Sequence, residues 1–217
     1  MFEFTPDPRI PYRYDYDQIC RDLNRLEQEH TPEAALEAKN ILREMSKLDM
    51  FFLGYFILGM KPLNNPFLYA RVQEVQKKHD RTLDLWAREH WKSTIISYLL
   101  NIWKLIRNPE ERIGIFSFNR SLAKAHLRRI KVTIESNKLL GSVFDDVFYA
   151  DPEREAEKWS EDEGICVRRK GNWLEMSIEA WGVTEAMPIG RHYSHMDYDD
   201  LVVPDSVSTP EQIQKTI

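Results

Sequence analysis

The hydrophobic periodicity of the sequence changes near residue 83, and this change most constrains how the chain can fold. From there on, apolar runs that alternate like strands are separated by stretches with helical spacing. Residues 83–86 and 112–118 have the strand pattern, and residues 92–106 and 120–135 have the helical pattern. Strands that alternate with helices are typical of βα units around a parallel sheet. We therefore predict an α/β fold with a mostly parallel central sheet flanked by helices.

Three further segments continue the pattern. Residues 165–169 and 175–181 alternate on either side of a glycine-containing turn, which predicts a hairpin inserted between the core strands. Residues 193–203 (YSHMDYDDLVV) predict a strand that ends in acidic side chains, and residues 209–211 (TPE) predict the start of a last helix. One strand of the sheet is thus expected to end at a group of carboxylates.

The sequence ahead of this alternation is helical. Residues 15–60 repeat apolar positions at helical spacing, and Thr31 followed by Pro32 has the form of a helix N-cap. The apolar run MFFLGYFILGM is about half as long as the roughly 20 residues that a bilayer-spanning helix needs, so it predicts a buried core helix. We place an N-terminal arm and helical segment at residues 1–66 and a second domain at residues 67–217.

Composition excludes several classes of protein. The chain has 217 residues, 42% of them hydrophobic, which is enough for one sizeable core. A net charge of −5 argues against a generally basic surface that coats nucleic acid, so any such contact is expected to be local. Cys20 and Cys166 form no metal-binding pattern and suit a reducing compartment. The N-terminus lacks the layout of a signal peptide, and no membrane contact is expected.

The stretch LDLWAREHWKSTIIS, residues 83–97, has the layout of a phosphate-binding loop between a strand and a helix. In such loops backbone N–H groups and a helix N-terminus converge on an anion, a lysine adds charge and a hydroxyl coordinates magnesium. Lys92 and Ser93 take the last two roles by position. The usual glycines are replaced by Ala87 and Trp91, and Trp91 falls where φ is commonly positive, which costs a bulky residue on the order of 1–3 kcal/mol. The alternative is that the loop's tryptophans are core aromatics flanking a surface lysine.

The acidic strand supplies the second element of such a site. Asp199 and Asp200 close the strand-like run, where one carboxylate can hold magnesium through water while the other polarises the attacking water. Because strand side chains alternate, we expect Asp197 and Asp199 on one face and Asp200 on the other.

These motifs resemble the ATPase domain of phage terminase large subunits, the motors that package DNA into procapsids. The resemblance covers roughly residues 67–217 and is clearest in LWAREHWKST, RIGIFSFNRSLAKAHLRRIK, KWSEDEG and RHYSHMDYDDLV. It implies a P-loop NTPase fold of the additional-strand (ASCE) type, with ATP and Mg²⁺ as cofactors. The family normally continues into an RNase H-like nuclease domain, so these residues are expected to be the N-terminal part of a longer protein.

The same resemblance implies partners and a location. Double-stranded DNA, the portal protein and the terminase small subunit would be the partners. The chain would form a homo-oligomeric ring on the portal, be a monomer in isolation, and act in the host cell cytoplasm.

The resemblance also assigns roles to individual residues. Lys92 would grip the β- and γ-phosphates, Ser93 would bind magnesium, and Arg88 would be the arginine that these motors carry in their variant Walker A loop. Asp199 would be the Walker B aspartate. Asp200 would be the catalytic carboxylate, where many relatives have glutamate.

Further residues would complete the nucleotide site. Arg191 would serve a neighbouring subunit's site, unless it is a surface arginine in a loop. Gln73, with Gln76 nearby, would contact adenine, unless both belong to a solvated helix face. The remaining loop residues would surround the nucleotide: Glu89, His90, Trp91 and Thr94.

Two alternative interpretations of the function of these residues stay open. The histidines and aspartates that crowd residues 192–205 are also ligand types for a metal-dependent nuclease: His192, His195, Asp197, Asp199, Asp200 and Asp205. With no glycine in its loop, the domain is alternatively a non-catalytic nucleotide-binding or assembly module. Two basic runs, residues 128–131 and 168–170, are candidates for contacts with DNA phosphates, although a charge run is usually a solvated face.

Overall fold

The structure is a computed structural model that describes residues 1–77, 81–87, 89–184 and 188–202. The α-helices in these ranges are, in chain order, α1 (Tyr16–Glu29), α2 (Pro32–Leu48), α3 (Met50–Phe52), α4 (Pro66–Lys77), α5 (Asn101–Arg107), α6 (Arg120–Ser136), α7 (Lys138–Val143) and α8 (Pro152–Glu155). The strands are β1 (Ile113–Ser117), β2 (Trp159–Ser160), β3 (Gly164–Ile165), β4 (Ile178–Gly182) and β5 (His195–Tyr198). Two π-helical segments, Leu53–Ile57 and Thr94–Leu100, extend α3 and precede α5, and a 3₁₀ turn spans Lys61–Leu63.

The N-terminal helices begin at capping residues. The Asp15 carboxylate accepts a hydrogen bond from the Gln18 amide at 2.9 Å and begins α1. The Thr31 hydroxyl accepts one from the Ala34 amide at 3.1 Å, and Pro32 occupies the first turn of α2. Both caps satisfy amides that have no partner within the helix. The cap predicted at Thr31 is confirmed.

The apolar run that begins at Met50 lies in the core. Residues 50–57 are all buried, and the rings of Phe51 and Phe52 are fully enclosed. Burial of a side chain of this size contributes roughly 1.5–3 kcal/mol. The predicted buried core helix is therefore confirmed, as α3 and its π-helical extension. The buried side chains of these helices and of the sheet form one cluster, in which the Trp103 indole donates to the Ser46 carbonyl at 3.1 Å. The domain boundary at residue 66 stays a prediction.

The sheet is open and five-stranded, in the order β2-β3-β4-β1-β5. β1 pairs in parallel with β4 on one side and with β5 on the other, while β2, β3 and β4 pair antiparallel. The α/β class is confirmed, but the expectation of a mostly parallel sheet is wrong. The reason is local: two short strands between α6 and β4 turn back on each other and extend one edge antiparallel.

The predicted hairpin is confirmed in pairing but not in position. Ile165 of β3 lies opposite Ile178 of β4, as a hairpin requires. β4 is however a core strand itself, since its residues align with β1 from Ile113 to Ser117. The predicted helix after β1 is also present as α6, which begins at the Asn119 cap.

The strand predicted at residues 83–86 is wrong. These residues have no strand assignment, and Leu83 and Leu85 are 81% and 84% exposed. A short apolar run forms a strand only where a neighbouring strand accepts its hydrogen bonds, and this information is not local. The helix predicted after it is present, beginning at Lys92 and continuing through the π-helical segment and α5.

Candidate functional site

The order of strands marks one edge of the sheet as the place for a ligand. β1 is the middle strand of three. β4, which comes after α6 in the chain, pairs with one side of β1, and β5 pairs with the other side of β1. The carboxyl ends of β1 and β5 therefore meet where the direction of strand addition reverses. Ligands of open α/β sheets commonly bind at such a switch point. The Asp199 amide, which follows β5, donates to the Phe116 carbonyl of β1 at 2.9 Å and fixes the acidic residues at this edge.

The acidic residues divide between the two faces as predicted. Asp197 and Asp199 are 4% and 2% exposed, beneath the helix that begins at Lys92. The Asp200 side chain is 72% exposed, and its backbone has a positive φ of 49°. The alternation expected for a strand is thus confirmed.

The turn before Lys92 has the unusual backbone that its motif predicts. Trp91 has φ of 64° and Glu89 has φ of 65°, both in the left-handed region that favours glycine. The Ile95 amide donates to the Trp91 carbonyl at 2.9 Å, which begins the helix at this point. Trp91 itself is half-buried and packs against the core. The positive φ at Trp91 is confirmed, and core packing of its indole is compatible with it.

Lys92 joins the two motifs. Its Nζ lies 2.8 Å from Asp199 Oδ1 and 3.7 Å from Asp200 Oδ1. The lysine side chain is 30% exposed, whereas the Asp199 side chain is 3% exposed, so solvent reaches the pair from the lysine side. A buried carboxylate requires a charged or hydrogen-bonding partner, because an uncompensated one is strongly destabilising.

Electrostatics keep both partners charged. Burial opposes ionisation of Asp199, but hydrogen bonds from Lys92 and Ser93 outweigh it and hold the pKa of Asp199 below its ordinary value. Burial likewise opposes the charge on Lys92, yet the nearby aspartates raise the pKa of Lys92. Asp197 differs, because burial is the largest influence there and raises its pKa.

Three residues that the sequence reasoning missed complete this group. Ser97 Oγ and His126 Nε2 each lie 3.4 Å from Asp199 Oδ2. Asn101 Nδ2 lies 3.4 Å from Asp197 Oδ2. Ser93, Ser97 and Asn101 are spaced by four, so a polar stripe on an otherwise apolar helix was the available signal. His126 had no comparable signal, because only the packing of α6 brings it to the site.

The side chains at the site suit a hydrated magnesium ion. The Ser93 hydroxyl donates to the Asp199 carboxylate, so the two oxygen groups are adjacent. Oxygen donors are the ligands that Mg²⁺ prefers, and it usually takes one or two from protein while keeping waters and phosphate oxygens. Ser93 and Asp199 therefore fit a magnesium–phosphate group. In the described part of the chain no group of three or more histidine, cysteine, aspartate or glutamate side chains has metal-binding geometry. The nuclease alternative stays a prediction.

The other predicted loop residues have differing surroundings. The Thr94 hydroxyl accepts a hydrogen bond from Arg129 Nη1 at 3.0 Å, and Arg129 lies over the Tyr98 ring. Glu89 is exposed, and the His90 ring contacts the Phe67 ring edge-on at 5.3 Å between centroids. Two predicted residues lie outside the described ranges: Arg88 and Asp205.

The glutamines of α4 have structural partners. Gln73 Nε2 donates to Asp49 Oδ1 at 2.9 Å. Gln76 Oε1 accepts from the Met50 amide at 2.7 Å, and its Nε2 donates to the Leu48 carbonyl at 2.8 Å. Their amides therefore tie α4 to the junction of α2 and α3. The adenine contact stays a prediction without support from this placement.

Arg191 lies apart from Lys92 and Asp199. It precedes β5, whereas Asp199 follows it, and its Nη1 lies 3.5 Å from Glu179 Oε1. It also donates to the Leu174 carbonyl. Arg191 is thus held by its own chain on the amino side of the strand, and a role in a neighbouring subunit's site stays a prediction.

The two basic runs carry acidic partners. Arg128 pairs with Glu161 at 2.6 Å, and Arg168 pairs with Glu155 at 3.0 Å. Lys131 pairs with Glu135 at 2.6 Å. These pairs offset part of the positive charge, and the structure adds no support for DNA contact by either run.

Together, the fold and the site define an α/β protein with a lysine–carboxylate cluster at the switch point of a mixed sheet. No protein-family model matches this chain, and no curated protein matches it. Across the described ranges, no helix is both long enough and apolar enough to span a bilayer.

Proposed function

We propose that this chain is the ATPase motor domain of a viral terminase large subunit, of the additional-strand P-loop class, which hydrolyses ATP with Mg²⁺ to move double-stranded DNA into a procapsid. The observation that carries the proposal is the 2.8 Å ion pair between Lys92 and Asp199. These residues come from two motifs far apart in sequence, and this chemistry requires them at one place. A surface lysine flanked by core aromatics would need no such pairing.

In this proposal the chain's own groups have separate tasks. The Lys92 ammonium leaves Asp199 for the β- and γ-phosphates, which present more negative charge than one carboxylate. Ser93 and Asp199 hold the metal ion, and Asp200, exposed at the end of β5, accepts a proton from the attacking water. Bound Mg²⁺ supplies charge that stabilises the transferred phosphoryl group.

Strain in the backbone also favours a functional site. Within the described residues, five non-glycine residues have positive φ, and three of them, Glu89, Trp91 and Asp200, lie around Lys92. Such conformations cost on the order of 1–3 kcal/mol each and concentrate at functional sites. Their presence at both motifs supports a binding role for this edge of the sheet.

The decisive experiment is nucleotide binding by a Lys92→Ala variant. We expect the affinity for Mg–ATP to fall at least about 100-fold, because charge-assisted contacts between the ammonium and the phosphates are lost. Lys170→Ala is the matched control, since Lys170 is an exposed lysine remote in sequence from both motifs, and its affinity should not change. Unchanged binding by Lys92→Ala would show that the nucleotide does not bind at this loop, and absence of binding by wild-type protein would favour a structural or assembly module.

Turnover separates catalysis from binding. We expect Asp200→Asn to abolish hydrolysis while ATP affinity stays within about threefold, because the amide cannot accept the water's proton. Steady-state phosphate release and a binding titration measure the two quantities on one sample. Equal loss of both would contradict the role given to Asp200.

The wider context is part of the same proposal. The partners would be double-stranded DNA, a portal protein and a terminase small subunit, with the chain acting as a ring on the portal in the host cytoplasm. Isolated monomers should hydrolyse ATP slowly, since an arginine such as Arg191 would reach only a neighbouring subunit's site.

A further inference from the structure

A shallow aromatic cavity lies directly beside the loop that precedes Lys92. Its volume is about 240 Å³. The residues that line it come from the start of α4 and from the loop: Phe67, Arg71, Leu85, Trp86, Ala87 and His90. Whole drug-sized ligands occupy roughly 300–1,000 Å³, so this aromatic cavity suits a fragment such as one heterocyclic base.

Three aromatic side chains line the aromatic cavity: Phe67, Trp86 and His90. The Phe67 ring meets the rings of Trp86 and His90 edge-on, at centroid distances of 6.4 Å and 5.3 Å. These rings are therefore not stacked face to face, and each edge-on contact covers at most one face of a ring. Phe67 is 45% exposed, so a ligand in the cavity can reach its ring from solvent.

Arg71 adds a polar group to this apolar surface. Its guanidinium lies over the Phe67 ring at 5.8 Å, and one of its terminal nitrogens pairs with Glu74. Its Nε is buried and has no hydrogen-bond partner among the described residues. Buried donors are rarely left in this state, and a ring nitrogen of a base is an acceptor of suitable chemistry.

We propose that the aromatic cavity holds the purine base of the nucleoside triphosphate whose phosphates bind at Lys92. This inference rests on the proposed function. His90 is two residues from Lys92, so their Cα atoms are at most about 7 Å apart, a span that the ribose and α-phosphate of one nucleotide can cover. A purine is favoured over a pyrimidine because two fused rings offer a larger stacking area.

The placement of the glutamines argues for the same location. Gln73 and Gln76 already bond to Asp49, Met50 and Leu48 at the junction of α2 and α3. A base that bonds to Gln76, or to the Nε2 of Gln73, would compete with those contacts. The aromatic cavity requires no such rearrangement.

The test compares ATP with ribose 5-triphosphate, which has the same phosphates and sugar but no base. Wild-type protein with Mg²⁺ should bind ATP at least about fivefold more tightly, since stacking of one base on aromatic side chains has an effect of this order or larger. Phe67→Ala and Trp86→Ala should lose this preference and bind both compounds alike. Trp86→Phe should keep most of it, and Trp173→Ala, at an exposed tryptophan outside the cavity, should keep all of it.

The outcomes separate this inference from the function on which it rests. Wild-type protein that binds both compounds equally, or cavity variants that keep the preference for ATP, would overturn the base site and leave the phosphate site intact. Failure of wild-type protein to bind either compound would overturn the proposed function and the base site together. Variants that lose binding of single-stranded oligonucleotide but keep binding of ATP would assign the cavity to DNA and also overturn the inference. The wild-type comparison does not depend on how the variants fold.

Discussion

Two aspartates are buried, Asp49 in the N-terminal helices and Asp199 at the edge of the sheet. Different kinds of partner stabilise the two carboxylates. Asp49 is 0% exposed and Asp199 is 2% exposed, so each carboxylate has lost its hydration. Asp49 accepts hydrogen bonds from Tyr16, Gln73 and the amides of two following residues, all of them neutral groups. Asp199 instead pairs with the cation Lys92.

The difference teaches how to distinguish a structural carboxylate from a candidate functional one. Burial raises the pKa of Asp49, and its neutral donors offset only part of that effect. Hydrogen bonds from Lys92 and Ser93 hold the pKa of Asp199 below its ordinary value despite burial. Burial alone therefore says little about function. A partner such as the Lys92 ammonium, which is partly exposed and can move to another anion, is the informative feature.

The largest expected effects, on stability and on hydrolysis, come from two single substitutions: Asp49→Ala and Asp199→Ala. Asp49→Ala leaves several buried donors without an acceptor and should lower the free energy of unfolding by about 3 kcal/mol or more. Asp199→Ala frees Lys92 to turn toward solvent, so its effect on stability should be smaller, while Mg-dependent hydrolysis should fall at least about 100-fold. Urea unfolding and phosphate release per folded molecule measure the two quantities.

The control for this pair is Asp17→Ala, at an exposed aspartate of α1 that pairs with Arg21. It should change stability by no more than about 0.5 kcal/mol and leave hydrolysis alone. Loss of hydrolysis per folded molecule in Asp49→Ala would remove the contrast between the two aspartates.

The second prediction concerns the sign of the pH dependence. The raised pKa of Asp49 means that its carboxyl contributes fully to stability below the unfolded pKa, near 4, and that this contribution is lost as pH rises through the folded pKa. The lowered pKa of Asp199 has the opposite consequence, since its contribution is present above about 4 and is lost as pH falls through the folded pKa. Between about pH 2 and pH 7, Asp49→Asn should therefore gain stability relative to wild type as pH rises past 4, and Asp199→Asn should lose it as pH rises toward 4.

Urea midpoints of the three proteins across this pH range measure the two slopes. Slopes of the same sign for both variants would mean that the two environments do not differ as described. Wild-type protein serves as the reference at each pH, so changes in all other titrating groups cancel.

The smallest expected effect concerns strain in the loop. Glu89 has φ of 65° and an exposed side chain, so Glu89→Gly should raise the free energy of unfolding by about 0.5–1 kcal/mol, because glycine adopts this conformation without steric cost. Thr82→Gly is the control at an exposed position without positive φ and should be neutral or destabilising. A destabilising Glu89→Gly would show that the loop is not strained at this residue.

Several features of the fold follow from short stretches of sequence. The cap at Thr31, the buried run from Met50 and the helix α6 all depend on spacing within one segment, and all were predicted. The same holds for the positive φ at Trp91, which its place in the loop motif indicates. Each is decided by backbone sterics or by one amphipathic surface, which neighbouring residues largely determine.

Pairing between distant segments was predicted less well. The run 83–86 has a strand pattern but no strand neighbour in the described residues, and the strands before β4 turn antiparallel. His126 reaches Asp199 only because α6 packs beside the helix that carries Ser97. Strand pairing and helix packing depend on the paths of the loops and on which apolar surfaces pack together. The sequence of a single segment does not determine them.

The sequence by itself determined the α/β class, the residue types of the candidate site and their division between the faces of a strand, because these depend on local periodicity. Only the tertiary structure decided that Lys92 lies against Asp199, that Gln73 serves Asp49, and that an aromatic cavity lies beside the loop. The physical reason is that a buried charge needs a compensating group nearby. The packing of the core decides which residue, distant in sequence, supplies that group.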